Sequence, residues 1–225
     1  MKRRACLQWC GVTLAGLAAG MARADAFSDF HKAVLRDDYV AMQKLLRRGV
    51  EPNIVDAAGY PGLVRAMHVD SLRVAEVLVA ARGIRINDLT PQGESVLMGA
   101  CIKGHLDWVR KLIAMGADVN KTGWTPLHYA ASADRPHSVE IAALLLEHHA
   151  YIDAESPNKS TPLMLAAQYG SEAMAHLLLR EGADPSLRNQ RGLSAVDFAQ
   201  RSEREFMVQL MSQARKAVRR PANSW

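Results

Sequence analysis

Small residues recur along this chain at a steady interval. Ala33, Ala66, Ala100, Ala130, Ala166 and Ala199 are separated by 33, 34, 30, 36 and 33 positions. Three residues before each stands an apolar side chain, in order Phe30, Leu63, Leu97, Leu127, Leu163 and Val196. An i, i+3 spacing puts both members on one helical face. A second apolar series follows within the units: MQKLLRRGVEPN, VAEVLVAARGIRIN, VRKLIAMGADVN, IAALLLEHHAYID and MAHLLLREGADPS. Its runs Leu144–Leu146 and Leu177–Leu179 predict the buried faces of second helices, each fully buried Leu contributing roughly 1.5–3 kcal/mol. A period near 33 predicts a stack in which each unit buries its apolar face against the next.

The residues inside each period resemble the ankyrin-repeat family. Thr125–Ala130 reads TPLHYA, and weaker copies are TPLMLA (Thr161–Ala166), SVLMGA (Ser95–Ala100) and PGLVRA (Pro61–Ala66). Gly104-His105 resembles the family's inter-helix pair, and Gly116–Asp118 and Gly182–Asp184 its Gly-Ala-Asp helix end. The resemblance spans about residues 27–210. It implies an all-α solenoid of helix-turn-helix units joined by β-hairpin-like loops. Repeats are placed at 27–56, 57–89, 90–121, 122–155, 156–188 and 189–213 within one domain, 25–213. The first and last, polar on one side, are expected to cap the stack.

Each motif residue has a structural role to play. Thr125 is expected to cap the first helix of its repeat through its hydroxyl, accepting from a backbone N–H. Pro126 suits the first turn, where no donor is needed, and Leu127 points into the core. Thr161, Pro162 and Leu163 repeat the arrangement. The resemblance implies that His128 bonds back to Thr125 and to backbone, tying neighbouring repeats together. Gly49, Gly116 and Gly182 fit helix ends that need a positive φ, and His149 takes that place in LLLEHHA. The 36-residue spacing comes from Ala133–His137, a longer inter-helix loop in which Pro136 fits. The 30-residue spacing comes from Asn120–Gly123, a shortened hairpin expected to leave a notch in the row.

Candidate chemistry changes little. Thr125 and His128 have the residue types of a nucleophile and base, but no third group orients His128 and no oxyanion donor is evident. The repeat at 161–164 keeps the motif while dropping the histidine. His148 and His149 are adjacent on a helix and face about 100° apart, a poor chelate. The remaining histidines lack a ligand spacing, and no glycine-rich phosphate loop, CxxC or HExxH is present. The chain is read as non-catalytic, with no cofactor and no metal.

Charge and the N-terminus supply an address. The net charge is +5, but residues 1–24 hold Lys2, Arg3, Arg4 and Arg23 without an acid. Arg215, Lys216, Arg219 and Arg220 lie near the other end, on or beside a basic tail assigned to 214–225 and expected to be a frayed end. The body between is left with 20 basic against 23 acidic residues, which argues against nucleic-acid binding. A cationic start, an apolar run at Cys10–Ala19 and Ala22-Arg23-Ala24 form a cleavable secretory signal over residues 1–24. The run is too short for a membrane span of about 20 residues. A periplasmic destination follows, with secretion as the alternative and no stable membrane insertion after cleavage. Cleavage removes Cys6 and Cys10, leaving Cys101 as a small buried side chain without a disulfide partner.

A protein partner is the expected ligand of a single copy of this chain. In the family, hairpin tips and the exposed side of first helices form the concave contact surface. Carried over by position, the candidates are Tyr60, His68, Gln92, Glu94, Lys103, Trp124, Ser132, Asn158, Ser160, Gln168, Tyr169, Gln190 and Arg191. Tyr60, Trp124 and Tyr169 are the aromatic anchors among them. The expected role is a periplasmic accessory to a stress or redox enzyme, with a host-binding secreted protein as the alternative and a histidine-based enzyme behind both.

Overall fold

A computed structural model of the chain describes residues 25–219. The expected secretory signal and the end of the expected basic tail, residues 1–24 and 220–225, lie outside the described residues. Within them the chain forms twelve helices and no strand, with one isolated antiparallel bridge between Val55 and Pro61. The described residues fall into two compact units, one ending at Arg85 and one beginning at Ile86.

The first unit holds α1 (residues 25–36), α2 (Tyr39–Arg47), α3 (Gly62–His68) and α4 (Leu72–Val79). Its core is Phe30, Val34, Met42, Leu63, Ala66, Met67, Val74 and Leu78. Asp38 caps α2 by accepting from Ala41 N at 2.9 Å. Asp37, at φ 50°, reaches α4, where its carboxylate accepts from Val74 N at 2.9 Å and pairs with Arg73 Nε at 2.8 Å. Ser71 donates to the Val34 carbonyl. These polar contacts join one helix pair to the next.

The second unit holds α5 (Val96–Lys103), α6 (Leu106–Ala114), α7 (Pro126–Ser132), α8 (Ser138–Glu147), α9 (Pro162–Gln168), α10 (Glu172–Arg180), α11 (Ala195–Arg201) and α12 (Glu205–Arg219). The first helices stack in order, α5 on α7, α7 on α9 and α9 on α11. Leu97, Leu127 and Leu163 are fully buried between them, and the alanines at 100, 130, 166 and 199 permit the close approach. Ser95, Thr125, Thr161 and Ser194 precede these helices in extended backbone. Gly116 and Gly182 end second helices in the left-handed region, and His149 does the same at φ 63°. Residues 133–137 form the longer loop before α8, as expected. It leans on Gly104, where a Cβ would lie 2.6 Å from the Pro136 carbonyl.

Residues 214–219 depart from the sequence reading. They continue α12, whose Met207 and Met211 are buried one turn apart, so Arg215 extends a packed helical face. A frayed tail from 214 is therefore incorrect as far as Arg219.

The hairpins share one design. Four five-residue turns close with a backbone bond from first to fifth residue, Asp56 to Tyr60, Thr90 to Glu94, Ser156 to Ser160 and Asn189 to Leu193, at 2.9–3.0 Å. In each, the first side chain accepts from the fifth N–H. The connection before α7 is three residues shorter and lacks this turn. Lys121 Nζ braces it instead, donating to the carbonyls of Thr122 at 3.0 Å and Trp124 at 3.4 Å.

Candidate functional site

His128 explains why the start of α7 is rigid. Its Nδ1 lies 2.8 Å from the Thr125 hydroxyl and 3.2 Å from Thr125 N, and its Nε2 lies 3.0 Å from the Ser160 carbonyl. A carbonyl needs a donor and an amide N–H needs an acceptor, so Nε2 carries the proton and Nδ1 is bare. Burial pushes the imidazole pKa down, which suits this neutral form. The ring is fully buried, and its bare Nδ1 accepts from both the Thr125 N–H and the Thr125 hydroxyl. The Thr125 hydroxyl meets this ring, and Thr125 and His128 together form a capping box at the start of α7. In the next repeat, with Met at the histidine's place, the Thr161 hydroxyl accepts from Met164 N, at 3.4 Å.

Above this clamp the second unit opens an apolar cleft of about 250 Å³. Ile102, Trp124, Tyr129, Ser132, Leu165 and Tyr169 line it over His128. Trp124, half-buried, stands edge-on to His128 with ring centroids 5.3 Å apart. Tyr169 is 57% exposed. Tyr129 donates its hydroxyl to Glu94 Oε1 at 2.7 Å, bracing the cleft with a carboxylate from the preceding hairpin. Ser132 turns its hydroxyl to the Tyr129 carbonyl at 3.1 Å.

The thirteen candidate contacts are thus not one set. Trp124, Ser132 and Tyr169 line the cleft, and Glu94 braces it. Lys103 is half-buried beside Ile102, and Gln92, Gln168 and Arg191 keep solvent contact without lining the cleft. Tyr60 and His68 belong to the first unit, where Arg65 stacks 4.1 Å from the Tyr60 ring and His68 meets it edge-on at 5.6 Å. Ser160 cannot be a contact, because it is 1% exposed and bonded to Ser156, His128 and Asn189. Asn158 is exposed, yet its carboxamide oxygen accepts from Ser156 and Ser160 within the turn. Gln190 braces the same turn through Pro157 and Asn158.

Tyr129 and Leu165 were missed by the sequence reading. They occupy the same place in their repeats, three residues before Ser132 and Gln168 and therefore on the same helical face. Gly99 stands at that place in α5 and supplies no side chain there. The apolar character of this position was a readable signal.

A second recurring feature ties each repeat to the next. Asn53, Asn87 and Asn120 each accept from a backbone N–H, of Arg85, Asp118 and Tyr151 respectively, at 2.9 Å. Each also donates to a carbonyl two residues earlier, of Gly83, Gly116 and His149, at 2.7–3.1 Å. The next rung is Asp153, whose two oxygens share Asp184 N at 3.2 Å.

Comparison with known proteins agrees with this architecture. A family profile of ankyrin repeats, three copies long, matches residues 30–122, 63–156, 116–189 and 143–219. The chain is 34% identical over 158 residues to the ankyrin repeat protein YahD of Escherichia coli, covering 67% of this chain and 78% of that one. It is 31% identical over 174 residues to a nuclear factor NF-kappa-B subunit of Gallus gallus, but spans 17% of that protein's length. Its fold is similar to that of a chain from the complex of a predatory endopeptidase of Bdellovibrio bacteriovorus with an immunity protein. There the TM-score is 0.70 at 23% identity, covering 82% of this chain and 97% of that one. With six helix pairs, repeated caps and the intact TPLHYA clamp, the chain belongs to the ankyrin-repeat family, whose repeats serve as protein-interaction modules.

Proposed function

We propose that this protein is an exported, non-catalytic binding module that takes a partner protein at the Trp124–Tyr129–Tyr169 cleft. The observation that carries the reading is the cleft itself, an aromatic-lined apolar opening held on the buried His128 clamp. Its volume suits side chains of a partner rather than a free small molecule, whose pockets run about 300–1,000 Å³. Aromatic anchors of this kind dominate interface energies. The committed nitrogens of His128 support the absence of catalysis there. Export to the periplasm rests on the signal pattern of residues 1–24. The role is that of an accessory to an exported stress or redox enzyme. The fold's likeness to a chain from an endopeptidase–immunity protein complex makes exported peptidases a second group of clients to test.

Affinity capture from a periplasmic extract, wild type beside Trp124→Ala/Tyr169→Ala, tests the cleft. The double variant should lose about tenfold or more of partner recovery while keeping its helical circular dichroism. Undiminished recovery would sink the assignment. Fractionation of cells carrying a tagged chain tests the address: recovery from the medium or a host cell supports the secreted, host-binding alternative.

A further inference from the structure

The first unit carries a groove that the proposed cleft does not account for. It runs between α2 and α4 and encloses about 700 Å³. Leu46, Val50, Pro52, Val77, Ala80 and Ala81 supply its apolar floor. At the N-terminal ends of the two helices stand Tyr39, 38% exposed, and Arg73, whose guanidinium lies 5.2 Å from the Tyr39 ring. That arginine is neutralised by Asp37. At the C-terminal ends stand Arg47 and Arg82, both exposed and neither ion-paired among the described residues. Glu76 is the acid in the lining, and it is already engaged. The groove is therefore apolar along its length and cationic at one end.

We propose that it docks an acidic amphipathic segment of a partner protein, with apolar side chains on the floor and carboxylates against Arg47 and Arg82. Charge complementarity selects the sign of the occupant. Residues 1–24 and 220–225 contain no Asp or Glu and do not match it. Two free arginines are too few to hold a polyanion, which needs many phosphate contacts, and a nucleic-acid backbone would leave the apolar floor unused. A protein segment satisfies both floor and rim.

The test uses a fluorescein-labelled peptide of about 18 residues, five helical turns, with a leucine stripe and glutamates on the polar face. Its twin carries lysine at every glutamate. Fluorescence anisotropy with the purified protein should show binding of the glutamate peptide and none of the lysine twin. R47E/R82E should weaken binding about tenfold, and V77Q about fivefold, with circular dichroism unchanged. R36E/K44E makes the same charge change elsewhere on the unit and should cost less than about twofold. If R47E/R82E disturbs folding, R47Q/R82Q should still cost about threefold. Trp124→Ala/Tyr169→Ala should bind the peptide normally, which separates this site from the cleft. Equal binding of the two peptides, or equal losses in groove and control pairs, would overturn the proposal. So would binding to phosphatidylglycerol vesicles without binding to the glutamate peptide.

Discussion

Replacing Asp153 by asparagine should stabilise the protein at neutral pH. In three earlier repeats an asparagine at this position both accepts from one backbone N–H and donates to one carbonyl. The carbonyls belong to Gly83, Gly116 and His149, so the matching partner for position 153 is Gly182. An ionised Asp153 can only accept, and both of its oxygens crowd onto the one donor, Asp184 N. Burial, and then the carboxylate of Asp184, pushes its pKa up, opposed by the bond from Asp184 N. The folded state therefore binds the proton more tightly than the unfolded chain, in which the pKa is about 3.9. The stabilising contribution is full below that value and is lost as pH rises through the higher folded pKa. A carboxamide in place of the carboxylate would restore the missing donor at every pH, worth about 0.5–1.5 kcal/mol. For a chain of this size that is roughly 2–4 °C in Tm per kcal/mol. Thermal unfolding followed at 222 nm, at about pH 7 and about pH 4, measures it. Asp153→Asn should raise Tm at pH 7, with a smaller gain at pH 4, where protonated aspartic acid can itself donate. A lowered Tm at pH 7, or an equal gain at both, would refute the reasoning.

Three further outcomes follow from the same structure. His128→Gln should lower stability by about 2–4 kcal/mol in urea unfolding, from lost bonds and imperfect packing. Because burial lowers the folded pKa of His128, its contribution is present above about pH 6.5 and lost as pH falls through the folded value. Urea midpoints between about pH 7.5 and 5 should therefore fall more steeply in wild type than in His128→Gln. Gly104→Ala should cost about 1–3 kcal/mol, because φ is 76° and its Cβ would meet the Pro136 carbonyl; differential scanning calorimetry measures this. Cys101 is fully buried and its thiol pKa is pushed up by that burial, so iodoacetamide should label it only in denaturant, as read by intact mass.

The helix pairs were legible because the alanine period and the leucines three residues earlier are consequences of the stacking itself. Proline at the first helical position and Ser or Thr before it marked the helix starts for the same reason. Ser160 was misplaced because its position beside a turn suggests exposure, whereas its N–H bonds the Ser156 hydroxyl and its carbonyl accepts from both Ser156 N and His128. Lys159 hides the turn further: it holds φ 61° where sister turns place Gly59, Gly93 and Gly192. The basic run after Gln213 suggested a solvated end, yet Met207, Met211 and Arg215 share a four-residue phase that carries the helix onward. The division at Arg85 has no comparable mark, since the repeat period runs through it unchanged.

The shortened hairpin joins the sequence irregularity to the cleft. Trp124 occupies the place held by Tyr60, Glu94, Ser160 and Leu193 in the other repeats, immediately before the helix start. Those residues end a five-residue turn, and Trp124 does not, because the three residues that would form it are missing. Its ring rests on His128, which is fixed in turn by Thr125 and Ser160. Stability and the proposed recognition therefore meet at one point but separate under mutation. Trp124→Ala removes a half-exposed ring and an edge-on contact worth about 0.5–1.5 kcal/mol, and leaves the clamp intact. It should lower Tm slightly while cutting partner capture about tenfold. His128→Gln should lower Tm far more, and its loss of capture should follow the fraction unfolded. Partner capture that tracks Tm in both variants would show that the cleft only supports the fold.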